Sequence, residues 1–258
     1  MRTLSEIIVK KDYTVKQKPR PFLDQNNPVI QKGLRLCFIF LLTAAGLGEW
    51  KTLNNMLGGL PKAITVGIIC MTIAYAIIFP DLKRFKQLKG PTLFYMSLIT
   101  ALLLWSMVIW ILNFMNLSSM IRGCSKVIFQ SIAILTALSG VYLFGAEAVD
   151  LFAVSMCLAN GAIMVLEIPS FGIAASVQSL ITCLVTFGEA EGYARNLEIH
   201  DITFVFGQLL LYYVAFAPKE TPGERKKRWR MILLCAFFFL VGMKRIAIPA
   251  ALLFIVYS

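Results

Sequence analysis

The sequence predicts an all-α, polytopic membrane protein of seven or eight transmembrane helices, with one further interfacial or re-entrant helix at the outer face. Three observations carry that prediction. Hydrophobic residues make up 58% of the 258 and charged residues 15%, against roughly 45–50% and about 25% in soluble domains. Mean hydropathy is +0.74. The apolar residues gather in eight runs, and eighteen of the 25 basic residues, counting Arg35 just past the first, fall in or beside three of the polar segments. The formal charge of +11 therefore fits lipid headgroups and the positive-inside rule and speaks against nucleic acid as a partner.

Residues 1–33 read as a cytoplasmic basic arm, with Pro19, Pro21 and Pro28 opposing a regular helix, and residues 34–258 as the transmembrane domain. The apolar runs are Leu34–Gly48, Ala63–Pro80, Thr92–Leu112, Val127–Gly145, Leu151–Leu166, Ile168–Gly188, Ile202–Ala217 and Met231–Ser258. A span needs about 20 residues, so the shorter runs need their flanks to cross. Trp50, Trp105, Trp110 and Trp229 lie near run ends, as interfacial tryptophans often do. The six cysteines are scattered with no C-x-x-C pair, which signals neither a disulfide framework nor a zinc site.

Orientation follows from Lys and Arg. The arm, the connection near 81–91 (Lys83, Arg84, Lys86, Lys89) and the one at 218–230 (Lys219, Arg225, Lys226, Lys227, Arg228, Arg230) are expected to be cytoplasmic. Five spans then deliver Glu167 to the outside, and the span from Ile202 returns the chain inside. Ile168–Gly188 is consequently expected not to be a complete crossing, with Pro169 and Gly172 breaking its start.

The last run holds Lys244 and Arg245 side by side. A Lys or Arg at the centre of a membrane helix costs roughly 2.5–3.5 kcal/mol on insertion scales. Either one long helix carries both within the bilayer, or the chain turns near Gly242–Arg245 and puts them at the outer mouth of a hairpin. The hairpin is favoured. It gives Gly242 a turn role and Pro249 a first-turn role, and it leaves Ile246–Ser258 too short to cross, so the chain is expected to be truncated within its last span.

Ile202–Ala217 and Met231–Ile246 are each sixteen residues from one face and should be antiparallel neighbours. Arg245 is then expected at the depth of His200 and Asp201, so that Glu198, His200, Asp201, Lys244 and Arg245 converge at one outer mouth. In that arrangement Arg245 holds a phosphate oxygen bidentately and Lys244 adds positive potential. The carboxylates orient the guanidinium, or His200 bonds a ligand hydroxyl. The same residues also read more plainly, Asp201 as a helix N-cap and Lys244 as a snorkelling side chain. One histidine and no paired ligand spacing give no metal site, and no cofactor is called for. Glu147 and Asp150 read as a solvated turn, Asn160 and Gly161 as close helix packing, and Arg122 and Lys126 as outer surface charges. Gly46-Leu47-Gly48 reads as a loop signal.

The stretch LEIHDITFVFGQLLLYY (Leu197–Tyr213), the basic loop after it and FFFLVGMKRIAIPA (Phe237–Ala250) resemble bacterial O-antigen and capsule repeat-unit polymerases, in the superfamily of the O-antigen ligases. VDLFAVSMCLANGAIMV (Val149–Val165) is similar to the span those proteins carry just upstream. The resemblance covers roughly residues 149–258. It implies a multi-pass glycosyltransferase of the bacterial inner membrane with a cytoplasmic N-terminus. Such an enzyme joins polyprenyl-pyrophosphate-linked oligosaccharides at the outer face without a metal. It works beside a flippase and chain-length regulators, and the product is O-antigen, capsule or exopolysaccharide. The family's pyrophosphate-binding arginine maps onto Arg245. Family members run longer, with a large extracytoplasmic loop bearing further functional residues, so the family's catalytic base is not assigned to His200. Two other functions remain open: a transporter or flippase for an anionic lipid-linked glycan, and a non-catalytic scaffold of an envelope-assembly complex. The first would be expected to show internal repeats and midplane charges, and neither is evident.

Overall fold

The computed structural model describes residues 28–48, 60–113, 116–186, 192–194, 202–242, 252–253 and 255–256. Among them lie eight helices of eight residues or more: α1 Pro28–Leu47, α2 Leu60–Ile78, α3 Leu82–Leu112, α4 Leu117–Phe144, α5 Glu147–Phe171, α6 Ile173–Thr186, α7 Ile202–Ala215 and α8 Pro222–Val241. No strand occurs among the described residues. Three helices, α1, α3 and α5, are long and apolar enough to cross a membrane, and shorter apolar stretches lie in α2, α4, α6 and α7.

The hydroxyls are satisfied in a way that suits a bilayer. Thr72 donates to the Ile68 carbonyl, Ser131 to Val127, Thr136 to Ile132 and Ser155 to Leu151, each one turn back and at 2.8–2.9 Å. Returning the donor to its own helix leaves no polar group facing hydrocarbon. The α3 helix is exposed at nearly every position from Leu93 to Leu112, with Ile99 its buried residue. A helix apolar all round and packed on little but α4 is a lipid-facing element.

Helices extend beyond the apolar runs that announce them. The α1 helix starts at Pro28 rather than Leu34, and proline suits a first helical position, where its missing N–H costs nothing. The α3 helix begins at Leu82, with Asp81 accepting hydrogen bonds from the Lys83 and Arg84 N–H groups. The α4 helix begins at Leu117, with Asn116 accepting from the Ser119 N–H. The expected connection 218–230 is helical from Pro222. Lys, Arg and Glu propagate a helix well, so the polar flanks stay helical. The expected break at Pro169 does not occur either: α5 runs through it and ends at Gly172, which sits at φ 82°.

The helix ends sort into two groups. Gln31 of α1 donates to the Tyr75 hydroxyl near the end of α2 at 3.4 Å. Arg35 of α1 pairs with Glu147 at the start of α5 at 2.8 Å. Arg84 of α3 donates through Nη1 to the Tyr142 and Leu143 carbonyls at the end of α4, each at 3.0 Å. Asp150 of α5 accepts from the Tyr213 hydroxyl near the end of α7 at 2.7 Å and from Lys227 of α8 at 2.6 Å. These contacts gather the basic segments at one end of the bundle. The helices alternate between the two ends in the order expected from the charge pattern, with α6 as the exception.

At 14 residues α6 is no shorter than α7, so what sets it apart is its direction. Leu180 of α6 packs in one cluster with Met164, Ile168 and Phe171 of α5, so α6 folds back beside α5 from the Gly172 turn.

Candidate functional site

The α7–α8 pair is built from a strong local signal. Thr221, Pro222 and Glu224 form a capping box with proline at the first helical position: the Glu224 N–H donates to the Thr221 hydroxyl at 3.2 Å, and the Thr221 N–H donates to the Glu224 carboxylate at 2.9 Å. The second of these bonds, reinforced by the Thr221 hydroxyl, holds the Glu224 carboxyl below its ordinary value. The T-P-G-E spelling signals this start, although the sequence reading placed the whole stretch in a connection.

Six residues into α8, buried Arg228 turns back onto the end of α7. Its Nε donates to the Tyr213 carbonyl at 2.7 Å and its Nη2 to the Val214 carbonyl at 2.9 Å. These carbonyls are among the unpaired acceptors of the last α7 turn, where a cation also meets the negative end of the helix dipole. Arg84 does the same for α4. Sequence reading counted both arginines as orientation signals only, and no motif distinguishes a capping arginine from an exposed one.

Toward the opposite end, Phe206 and Phe238 stack with centroids 4.7 Å apart. Gly207 makes room for Phe239, whose ring lies 3.0 Å from where a Cβ would stand. Ile202 lies about 6 Å of helix beyond Phe206, and Val241 about 4.5 Å beyond Phe238, so the two helices end nearly level. This antiparallel pairing is as expected. Glu198, His200, Asp201, Lys244 and Arg245 themselves lie outside the described residues. The structure fixes the points to which they are joined: Asp201 is bonded to Ile202, and Lys244 follows Val241 by three residues.

A group that sequence reading did not single out lies at this same end. Glu167, in the last turns of α5, is buried. Tyr193 is buried beside it; its hydroxyl donates to the Met164 carbonyl at 2.8 Å, and its ring meets Phe171 edge-on at 6.0 Å. Burial and, second to it, the Glu167 charge push the Tyr193 phenol above its ordinary value. The Ala194 N–H donates to the Ser179 hydroxyl of α6 at 3.1 Å. Ser176 Oγ, also on α6, is buried with no hydrogen-bond partner among the described residues. Val241, the last residue of α8, packs in this cluster with Tyr193. The available signal was a lone acidic residue at the end of an apolar run.

The remaining candidates resolve structurally. Glu147 and Asp150 are first-turn residues of α5, favourable against its dipole, and both are ion-paired. Asn160 bonds the Met156 carbonyl of its own helix, and a Cβ on Gly161 would meet only the Phe238 ring at 3.8 Å. A glycine that does pack closely is Gly46, expected in a loop but lying in α1: a Cβ there would stand 2.9 Å from Ala159 Cβ of α5. Arg122 is exposed, and the Lys126 side chain lies outside the described residues. Among the described residues no group of three metal-ligating side chains occurs.

Comparison with protein-family models, with curated proteins and with solved structures finds no match to any of them. Fold and site geometry define the class: a protein all-helical among its described residues, with three helices long and apolar enough to cross a membrane, a charge-paired basic end, and a buried carboxylate at the opposite end.

Proposed function

We propose that this is a glycosyltransferase of the bacterial inner membrane that joins polyprenyl-pyrophosphate-linked oligosaccharide repeats at the outer face. In this reading α1–α5, α7 and α8 are crossings, an eighth follows Ile246, α6 is the re-entrant outer helix, and the basic end faces the cytoplasm. Arg245 and Lys244 hold the pyrophosphate leaving group, and cations there stabilise the charge that develops as the glycosidic bond breaks. Glu198, His200 and Asp201 line the same mouth. No metal takes part.

The observation that supports the reading is the level ending of α7 and α8 at the end opposite the basic belt. Both polar segments, Glu198–Asp201 and Lys244–Arg245, are joined to that one end.

The test is Arg245→Ala in cells that depend on this protein for their surface glycan, with chain length read on a gel and protein level by membrane immunoblot. Loss of polymer at unchanged protein level supports the reading, and an unchanged ladder sinks it in favour of a scaffold. A flippase would instead lose all surface glycan, single repeats included. Cysteines introduced at 225–230 should label only from inside; labelling from outside overturns the topology.

A further inference from the structure

We propose that the outward face at the start of α3 binds anionic phospholipid headgroups, with Lys83, Lys86 and Lys89 as the cations. The apolar part of α3, Thr92–Leu112, is about 31 Å long at 1.5 Å per residue, which matches the ~30 Å hydrocarbon core. The segment Lys83–Lys89 before it covers about 9 Å of axis, close to the roughly 5–8 Å that headgroups add on each side. Pro91 lies between the two. It has no N–H, so the Gln87 carbonyl lacks its usual helical donor, a loss that water or headgroups can make good and hydrocarbon cannot. Two residues set the inward direction: Arg84 donates to the Tyr142 and Leu143 carbonyls, and Leu88 packs against the cluster that holds Phe38, Tyr75 and Leu143. At about 100° per residue, the three lysines fall within about 120° of arc, centred opposite the Arg84–Leu88 line, and all three are exposed. The neighbouring carboxylate, Asp81, is engaged: it accepts from the Lys83 and Arg84 N–H groups and pairs with the Arg84 guanidinium at 3.3 Å. Among the described residues none of the three lysines is ion-paired. Lys83 also stands in the first turn, at the positive end of the helix dipole, where an anion is favoured. Unpaired cations on one face, continued by an apolar stretch of bilayer length, fit a phosphodiester presented by a bilayer. This holds whichever reaction the far end performs.

The probe is phosphatidylglycerol as a minor component of phosphatidylcholine bilayers. The whole chain is reconstituted there with the photo-crosslinker benzoylphenylalanine in place of Gly90, and the captured lipid is identified by mass. Gly90 is exposed on the lysine face, and a Cβ there would meet nothing within 4 Å. A lysine near an anionic surface contributes about fivefold. Phosphatidylglycerol should therefore be captured at least about fivefold above its share, with a preference that falls as salt rises. Lys83→Gln, Lys86→Gln and Lys89→Gln together should return capture to the bilayer composition, whereas Lys83→Arg, Lys86→Arg and Lys89→Arg together should keep the preference. Arg225→Gln, Lys226→Gln and Arg230→Gln, which remove exposed cations of α8, should leave it unchanged. Capture in proportion to composition, a preference that survives the glutamine changes on α3, or an equal loss from those on α8 would each overturn the proposal. So would capture mainly of a second protein chain, or loss of the preference to inorganic phosphate at constant ionic strength, which would mark an occupant from solution. Where the triple-glutamine protein does not accumulate, Lys86→Gln alone, at the centre of the arc, is read instead: a reduced preference supports the surface and an unchanged one overturns it.

Discussion

Replacing Arg228 with methionine tests whether α8 is tied to α7 by a buried arginine or by apolar packing alone. The guanidinium makes two hydrogen bonds, at 2.7 and 2.9 Å, to the last carbonyls of α7. Bonds from a charged donor contribute about 1.5–3 kcal/mol each, so about 3–6 kcal/mol is lost with them. Removing a buried charge returns part of that, because its desolvation cost disappears as well. The two carbonyls remain buried without their donor, so the net loss should be about 2–4 kcal/mol. A chain of this size shifts by about 2–4 °C per kcal/mol, which sets the expected fall in melting temperature at about 4–16 °C.

The assay is thermal unfolding in detergent, followed with a thiol-reactive fluorophore. Cys235 of α8 is fully buried and free and becomes reactive as the α7–α8 pair opens. Arg230→Met is the comparison, since Arg230 is exposed and surface changes usually fall within about 0.5 kcal/mol. Equal shifts for the two variants, or less than about 2 °C for Arg228→Met, would refute the capping role.

Gly46→Leu should cost about 1–3 kcal/mol by overpacking, because Ala159 Cβ would lie 2.9 Å from the new Cβ and α1 and α5 would have to separate; the same thermal assay reads it. Asp150→Leu should destabilise more than Tyr213→Phe. The first leaves the buried Tyr213 hydroxyl without its acceptor, at about 1–3 kcal/mol, whereas the second leaves Asp150 still paired with Lys227. The Glu224 carboxyl is held below its ordinary value, so its contribution is full above the unfolded-state pKa and disappears as pH falls through the lower folded value. Glu224→Gln should therefore lower the melting temperature at neutral pH and make no difference once the pH is below that folded value, and a penalty that persists there would contradict the sign.

Sequence legibility was uneven for physical reasons. Hydropathy reports only the apolar stretch, so runs such as Thr92–Leu112 mark α3 but miss its first ten residues, from Leu82, where polar and basic residues continue the helix. Lys and Arg counts gave the alternation of ends because charge placement is a local cost paid at each connection. What those counts could not separate is Arg228 from Arg230, two residues apart in one basic run, one buried on carbonyls and the other exposed. Burial is set by the neighbouring helix, and composition holds no record of it. Gly46 was misread for the same reason: a glycine marks a turn or a close approach, and only the partner, Ala159, decides which. Glu167 was visible as a letter, but its burial depends on α6 folding back at Gly172.

The two ends of the molecule use charge in opposite ways. At the basic end the strongest charges are already spent within the fold: Arg84 and Arg228 on helix carbonyls, Arg35 on Glu147, and Lys227 on Asp150. Lys83, Lys86 and Lys89 stay exposed on the lipid-facing α3, which suits anionic headgroups. A ligand on the paired charges would have to displace internal partners. The far end has one described buried carboxylate, and the fold has locked the α7–α8 pair from the other side. Because the capping box, the Arg228 fork and the Asp150 contacts all act at the basic end, they set the register of the pair without occupying its far mouth. A pyrophosphate proposed to bind there meets a pair whose geometry is already determined some 20 Å away along α7. Changes at Arg228 should thus lower stability, whereas changes at Arg245 should alter binding at unchanged stability.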